Sequence, residues 1–176
     1  MYRILRLVIL ICFFSSCSEP KSNREKWRDK TLVLFAKHMK GKGLRAAGIG
    51  GGCTVEKKIN LMGVTFDYNK VMSIDEAREL IVECSNELLR MVNSDPNAAQ
   101  YFENFPIKEE IISISILGKV PETTQNFISL VYINKSFVKY RTDDPEGKIL
   151  PFVPVHEETF LEAQEIVNHR KSLLNS

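Results

Sequence analysis

The sequence predicts an α+β domain in which a single, mostly antiparallel sheet is covered on one face by helices. Three observations predict it. Met62, Val64, Phe66 and Tyr68 alternate with Gly63, Thr65 and Asp67, the two-residue repeat of a half-buried strand. Ala77, Leu80, Ile81, Cys84, Leu88 and Met91 recur at the spacing of one helix face. The other strand-like segments are grouped between helical ones without regular alternation, several of them close enough to pair as hairpins. With 176 residues and 44% hydrophobic composition, the chain suffices for one ordinary core.

Each element has its own local reason. Ser22-Asn-Arg-Glu25 is a capping box, and Trp27, Leu34, Phe35, His38 and Met39 follow near helical spacing, so a first helix runs to Lys40 and ends before Gly41 and Gly43. Gly48-Ile-Gly-Gly-Gly52 bends or ends a strand that forms a hairpin with residues 62–68. Ser73-Ile-Asp-Glu76 is a second capping box and opens the clearest helix, which ends near Asn93. Asp95-Pro96 offers an N-cap and a first-turn proline for a short helix towards Phe102. Ile112, Ile114 and Ile116 alternate with Ser113 and Ser115, which predicts a strand over 111–117. Residues 127–133 are apolar on both faces and read as a central strand, turned at Asn134-Lys135 into a strand over 136–142. Asp143 to Gly147 is a loop by composition. Lys148 to Val155 contains Pro151 and Pro154 and suits an edge strand. A last helix runs from about Glu157 to Leu174, with glutamates at its start and His169, Arg170 and Lys171 near its end, as the helix dipole favours.

The N-terminus follows different rules. Two arginines, Arg3 and Arg6, precede an unbroken apolar run from Leu7 to Phe14. A spanning helix needs roughly 20 apolar residues, so this run has the length of a signal-peptide core. Phe14-Ser15-Ser16-Cys17 resembles the lipobox of bacterial lipoproteins, with Phe14 where that class usually carries Leu. The resemblance covers about the first twenty residues. It implies removal of residues 1–16 and a diacylglycerol thioether on Cys17; the polar composition of residues 17–23 reads as a tether, and the remaining length predicts one globular domain over 24–176. The resemblance also implies a membrane partner through the covalent lipid and, with Ser18 following the cysteine, an outer-membrane location facing the periplasm. Ordinary signal cleavage after Ser18, with Ser16 and Ser18 as the small residues, is the competing reading.

Removal of Arg3 and Arg6 leaves 22 basic and 22 acidic residues. That balance argues against nucleic acid as the main partner, since phosphate binding needs a surplus of cations on one face. Cys53 and Cys84 remain in the domain; their positions neither require nor forbid a disulfide, and Cys84 falls in a helix stripe like a small buried hydrophobe.

The motifs that invite chemistry have simpler explanations. Gly48 to Cys53 lacks the third glycine of a dinucleotide fingerprint, is not followed by Gly-Lys-Ser/Thr, and precedes a strand, so a bulge or turn is favoured over a phosphate cradle. Lys57 and Lys58 after it read as a solvated strand. Ser18-x-x-Lys21 lies in the tether, and Ser136-x-x-Lys139 lies on a strand, where a spacing of three points the side chains to opposite faces. His156-Glu157 begins like a zinc-protease motif, but Phe160 stands where the second histidine is needed. His38 and His169 read as surface residues, and Glu157-Glu158 as helix-start charges. No catalytic, metal or cofactor residue is nominated. The expectation is a noncatalytic envelope lipoprotein that binds another envelope protein or serves envelope assembly. A small envelope hydrolase and a carrier of a small apolar ligand stand as alternatives.

Overall fold

A strand with apolar residues at every second position can bury only one face, and that constraint organises the whole molecule. The computed structural model describes residues 20–121, 127–144 and 152–174. Along them run α1 (Asn23–Met39), β1 (Leu44–Cys53), β2 (Ile59–Tyr68), α2 (Ile74–Asn93), β3 (Ile112–Gly118), β4 (Leu130–Asn134), β5 (Phe137–Asp143), β6 (Phe152–Thr159) and α3 (Phe160–Leu174).

The six strands lie in chain order in one sheet. Four neighbouring pairs are antiparallel, and β2 with β3 is parallel, in the register Val64 to Ile114 and Phe66 to Ile116. A parallel pair cannot be joined by a tight turn, and α2 supplies the crossover. Met62, Val64, Phe66, Ile112, Ile114, Ile116, Val131, Ile133, Val138 and Tyr140 are buried beneath the helices. Leu32, Phe35 and Met39 of α1, Ile81, Cys84 and Leu88 of α2, and Phe160, Ala163 and Val167 of α3 complete that core. The alternate residues, among them Thr65, Ser113, Ser115, Tyr132 and Lys139, are half-buried on the opposite face, against which no helix packs among the described residues. The expected α+β architecture is therefore the observed one.

Several local expectations change. The Ser22 and Glu25 capping box is complete, so the tether gives way to the helix at Ser22. Within α1 Leu32 is buried alongside Phe35 and Met39, whereas Leu34 is 49% exposed. Gly43 closes the turn after α1 in a left-handed conformation, φ 82°, where a Cβ would be strained. Ser73 caps α2 through Glu76 N–H, but the Glu76 carboxylate accepts the Tyr68 hydroxyl at 2.9 Å and does not close a box. Tyr68 is accordingly pushed up to about 12, by burial first and by Glu76 second. Asp95 starts no α-helix: its carboxylate accepts the Asn97 N–H, and only a single 3-10 turn, Ala99–Tyr101, follows. The β4–β5 turn falls at Lys135 and Ser136, both at positive φ, one residue later than expected.

The largest correction is at the last helix, which begins at Phe160 and not at Glu157. Residues 157–159 stay in β6, paired with Lys139, Val138 and Phe137. The start is set by Thr159-Phe-Leu-Glu162: the Thr159 hydroxyl accepts the Glu162 N–H at 3.2 Å, and the Glu162 carboxylate accepts the Thr159 N–H at 2.7 Å. This reciprocal pair satisfies two helix-end donors, whereas charge at Glu157 and Glu158 would satisfy none. β6 is the expected edge strand. Residues 145–151 of the predicted loop and strand lie outside the described residues.

Candidate functional site

Because β6 continues to Thr159, the two glutamates point to opposite faces of the sheet. Glu157 lies on the open face, 3.1 Å from Lys139 Nζ. Glu158 turns under the helix layer, where its side chain is 6% exposed. Arg78 meets it there from α2, on the flank of the apolar stripe in line with Val82 and Ser85 at helical spacing. Arg78 Nε donates to Glu158 Oε1 at 2.8 Å, and the Tyr140 hydroxyl donates to the same oxygen. The remaining oxygen, Oε2, lies 3.4 Å from His156 Nε2, and His156 is half-exposed at the sheet edge.

Further contacts fix the cluster. Arg78 also donates to Asp75 at 2.8 Å, its guanidinium lies over the Tyr140 ring at 5.7 Å, and Arg170 of α3 approaches Asp75 at 3.3 Å. Burial alone would lower the Arg78 pKa; the Glu158 hydrogen bond and charge outweigh it, so the net direction is up. Burial, then the Glu158 hydrogen bond, pushes Tyr140 well above the ordinary phenol value and keeps it a donor. The chemistry available is that of a satisfied charge network. His156 has a carboxylate to orient it, but among the described residues no serine, threonine or cysteine donates to it, so nucleophile and base do not meet here.

A second polar region is the groove between α1, α2 and α3, about 290 Å³ in volume and lined by His38, Lys42, Glu83, Asn86, Glu87 and Lys171 among others. Its charges mostly answer one another: Lys42 pairs with Glu83 at 2.6 Å, and Arg90 and His38 with Glu87 at 2.7 and 3.5 Å. The Arg90 hydrogen bond holds Glu87 below the ordinary carboxylate value.

A third region is the open sheet face. Gly48 and Thr65 of adjacent strands line up with Ser115, and Gly50 and Gly63 with Ser113. With little or no side chain at these positions, the face has a shallow recess of about 320 Å³. Tyr132, Lys139 and Arg141 continue the same face across β4 and β5.

The nominated and rejected residues can now be placed. Cys17 lies outside the described residues, as does Ser18 of the first serine-lysine pair. Cys53 and Cys84 are both free thiols; Cys84 is fully buried, and desolvation raises its pKa strongly. The glycine cluster lies inside β1, flanked by register shifts at Ala46/Gly48 and Gly52/Cys53, as the bulge reading expects. The chain after it turns into β2 and not into a helix. Ser136 occupies the hairpin turn and Lys139 pairs with Glu157, so the second serine-lysine pair is not assembled. His38 and His169 are exposed, and Phe160 is core. Among the described residues no three metal-binding side chains converge, and no helix is long and apolar enough to cross a membrane.

Sequence reasoning missed Arg78 and Glu158. The available signals were the parity of Glu158 with the apolar Phe160 along β6 and the Thr159-Phe-Leu-Glu162 capping pattern, which together move Glu158 from a helix surface to the inner face of a strand. Comparison of the chain with protein-family models, with curated proteins and with solved structures found no match.

Proposed function

We propose that the chain is a lipid-anchored protein of the bacterial envelope and that its folded part is a noncatalytic module for binding another envelope protein. The observation that carries the reading is the division of the sheet into a filled face and an open one. Beneath the helices, Phe35, Phe66, Ile81, Leu88, Ile114 and Tyr140 occupy the space that a carrier would keep for an apolar ligand. On the other face, glycine, serine and threonine leave a broad surface with a recess too open to enclose a small molecule, whose sites bury most of the ligand. A protruding side chain of a protein partner suits such a recess, and Tyr132 and Arg141 beside it are residue types enriched at interfaces. The anchor rests on the apolar run and on Phe14-Ser15-Ser16-Cys17. The described core runs from Leu32 to Val167, so removal of residues 1–16 leaves every core residue in place. Two or three acyl chains on Cys17 anchor stably, whereas one binds only marginally.

Mass spectrometry of the mature N-terminus tests the anchor. The expected species begins at Cys17 and carries diacylglycerol; Cys17→Ala should abolish labelling by fatty acid and leave precursor uncleaved. An unmodified chain beginning at Glu19 would overturn lipidation. The binding face is tested with photocrosslinkers at positions 115 and 132 and, as a control, at position 79 on the helical side. One envelope protein should be captured from the first two positions only, and the capture should be lost in Ser115→Arg at unchanged melting temperature. Equal capture from position 79 would count against this face.

A further inference from the structure

We infer that the outward face of α1 lies against an anionic phospholipid surface. The inference rests on the lipid-anchored reading and deepens it. Leu32, Phe35 and Met39 bury one side of α1. Lys26, Lys30, Val33, Lys37 and Lys40 follow one another in steps of four and three residues, which places them in a single stripe along the other side. All five are exposed, and Val33 and the adjoining Leu34 are 54% and 49% exposed.

The stripe is uniformly basic. Among the described residues no carboxylate lies within ion-pair distance of these four lysines. The nearby acids are already engaged: Asp29 with Lys21 and Arg28, Glu83 with Lys42, and Glu87 with Arg90 and His38. Asp95, within electrostatic range of Lys30, accepts from Trp27 and Asn97. An otherwise charge-balanced mature chain thus concentrates unanswered positive charge, with two aliphatic side chains, on one helix face. Lysine ammonium groups at the headgroups with aliphatic side chains between them is the arrangement of an interfacial helix.

Covalent reach brings the same helix to the bilayer. Asn23 is the sixth residue after Cys17, at most about 22 Å of chain away, whereas the 17 residues of α1 span about 25 Å. With lipid on Cys17, the start of α1 is held within less than its own length of the membrane. Near an anionic surface each lysine contributes about five-fold in partitioning, an effect that salt weakens.

The test uses the processed protein purified from membranes and reconstituted in vesicles of phosphatidylcholine alone or mixed with phosphatidylglycerol. Amine labelling is read residue by residue. Labelling of Lys26, Lys30, Lys37 and Lys40 should fall several-fold in the anionic vesicles at low salt and recover at high salt, while that of Lys135 in the β4–β5 turn stays level. Flotation with phosphatidylcholine vesicles separates the two readings. A protein that floats there but shows equal labelling of the four lysines in both vesicles keeps its anchor and loses this inference. A protein that does not float there lacks the anchor, and the helix face is then read from flotation with the anionic vesicles. In that arm Lys30→Glu/Lys37→Glu should reduce flotation about 25-fold or more, and an unchanged value would overturn the inference. Retention on duplex DNA equal to that on anionic vesicles would overturn it as well.

Discussion

The two ends of the sheet are held to their helices by different physics. At the β1–β2 end, α1 packs through Phe35 against Phe66, edge to face at 5.7 Å, while Trp27 rests against Tyr101 and Phe102. At the β5–β6 end, α2 meets the sheet through Arg78, Glu158 and Tyr140. Apolar packing is non-directional and tolerates small displacements. A charge network stabilises only the arrangement that satisfies it, and a buried pair contributes little net stability over apolar residues of the same shape. The first end thus supplies free energy, and the second selects one register of β6 beneath α2.

That contrast can be broken at either end. Phe35→Ala should have the largest effect, about 3–5 kcal/mol lost in urea unfolding, because a fully buried ring leaves a cavity its neighbours only partly fill. Glu158→Ala should cost about 3 kcal/mol by leaving Arg78 buried with Asp75 as its remaining carboxylate and the Tyr140 hydroxyl without its acceptor. The double variant Arg78→Met/Glu158→Leu should recover most of that loss, and failure to recover it would show that the network contributes energy as well as register. The glycines of β1 give a smaller, paired comparison. A Cβ at Gly51 would lie 2.3 Å from the Leu61 carbonyl oxygen and 2.9 Å from the Arg28 side chain, whereas one at Gly50 meets nothing within 4 Å. Gly51→Ala should therefore cost about 1–3 kcal/mol and Gly50→Ala close to nothing, read as a difference in melting temperature.

The smallest effect is a titration. The Asn97 N–H and then the Trp27 indole hold Asp95 below the ordinary aspartate value, and they outweigh its partial burial. A depressed folded pKa means that the stabilisation is complete above the unfolded value of about 4 and is lost as the pH falls through the lower folded value. Emission of Trp27, the one tryptophan of the chain, should change over that range in the native protein. In Asp95→Asn the change should be absent.

The comparison also explains what could be read in the sequence. Residues 62–68, 77–91 and 112–116 gave themselves away because each has one apolar face, and periodicity measures that. The β5–β6 end was illegible for the opposite reason. Its inward polar residues are Arg78 and Glu158, whose charge says surface unless the partner is known, and the two are 80 residues apart. Leu34 and Leu32 differ in burial although both are leucine, because the orientation of α1 is fixed by Phe35 and Met39 and not by any single position. Cys17 is read from a linear motif alone, which is why the fold adds nothing to it.

The outer strands carry a further consequence. Each offers a row of backbone donors and acceptors to whatever passes, and molecules confined to a membrane plane, as the lipid reading requires, meet one another far more often than molecules in bulk. β1 is irregular at both ends of its glycine run, and β6 shifts register beside Pro154, whose nitrogen has no hydrogen to donate. A regular neighbouring strand cannot extend either ladder without a break. The irregularities thus disfavour the joining of copies edge to edge into a fibre.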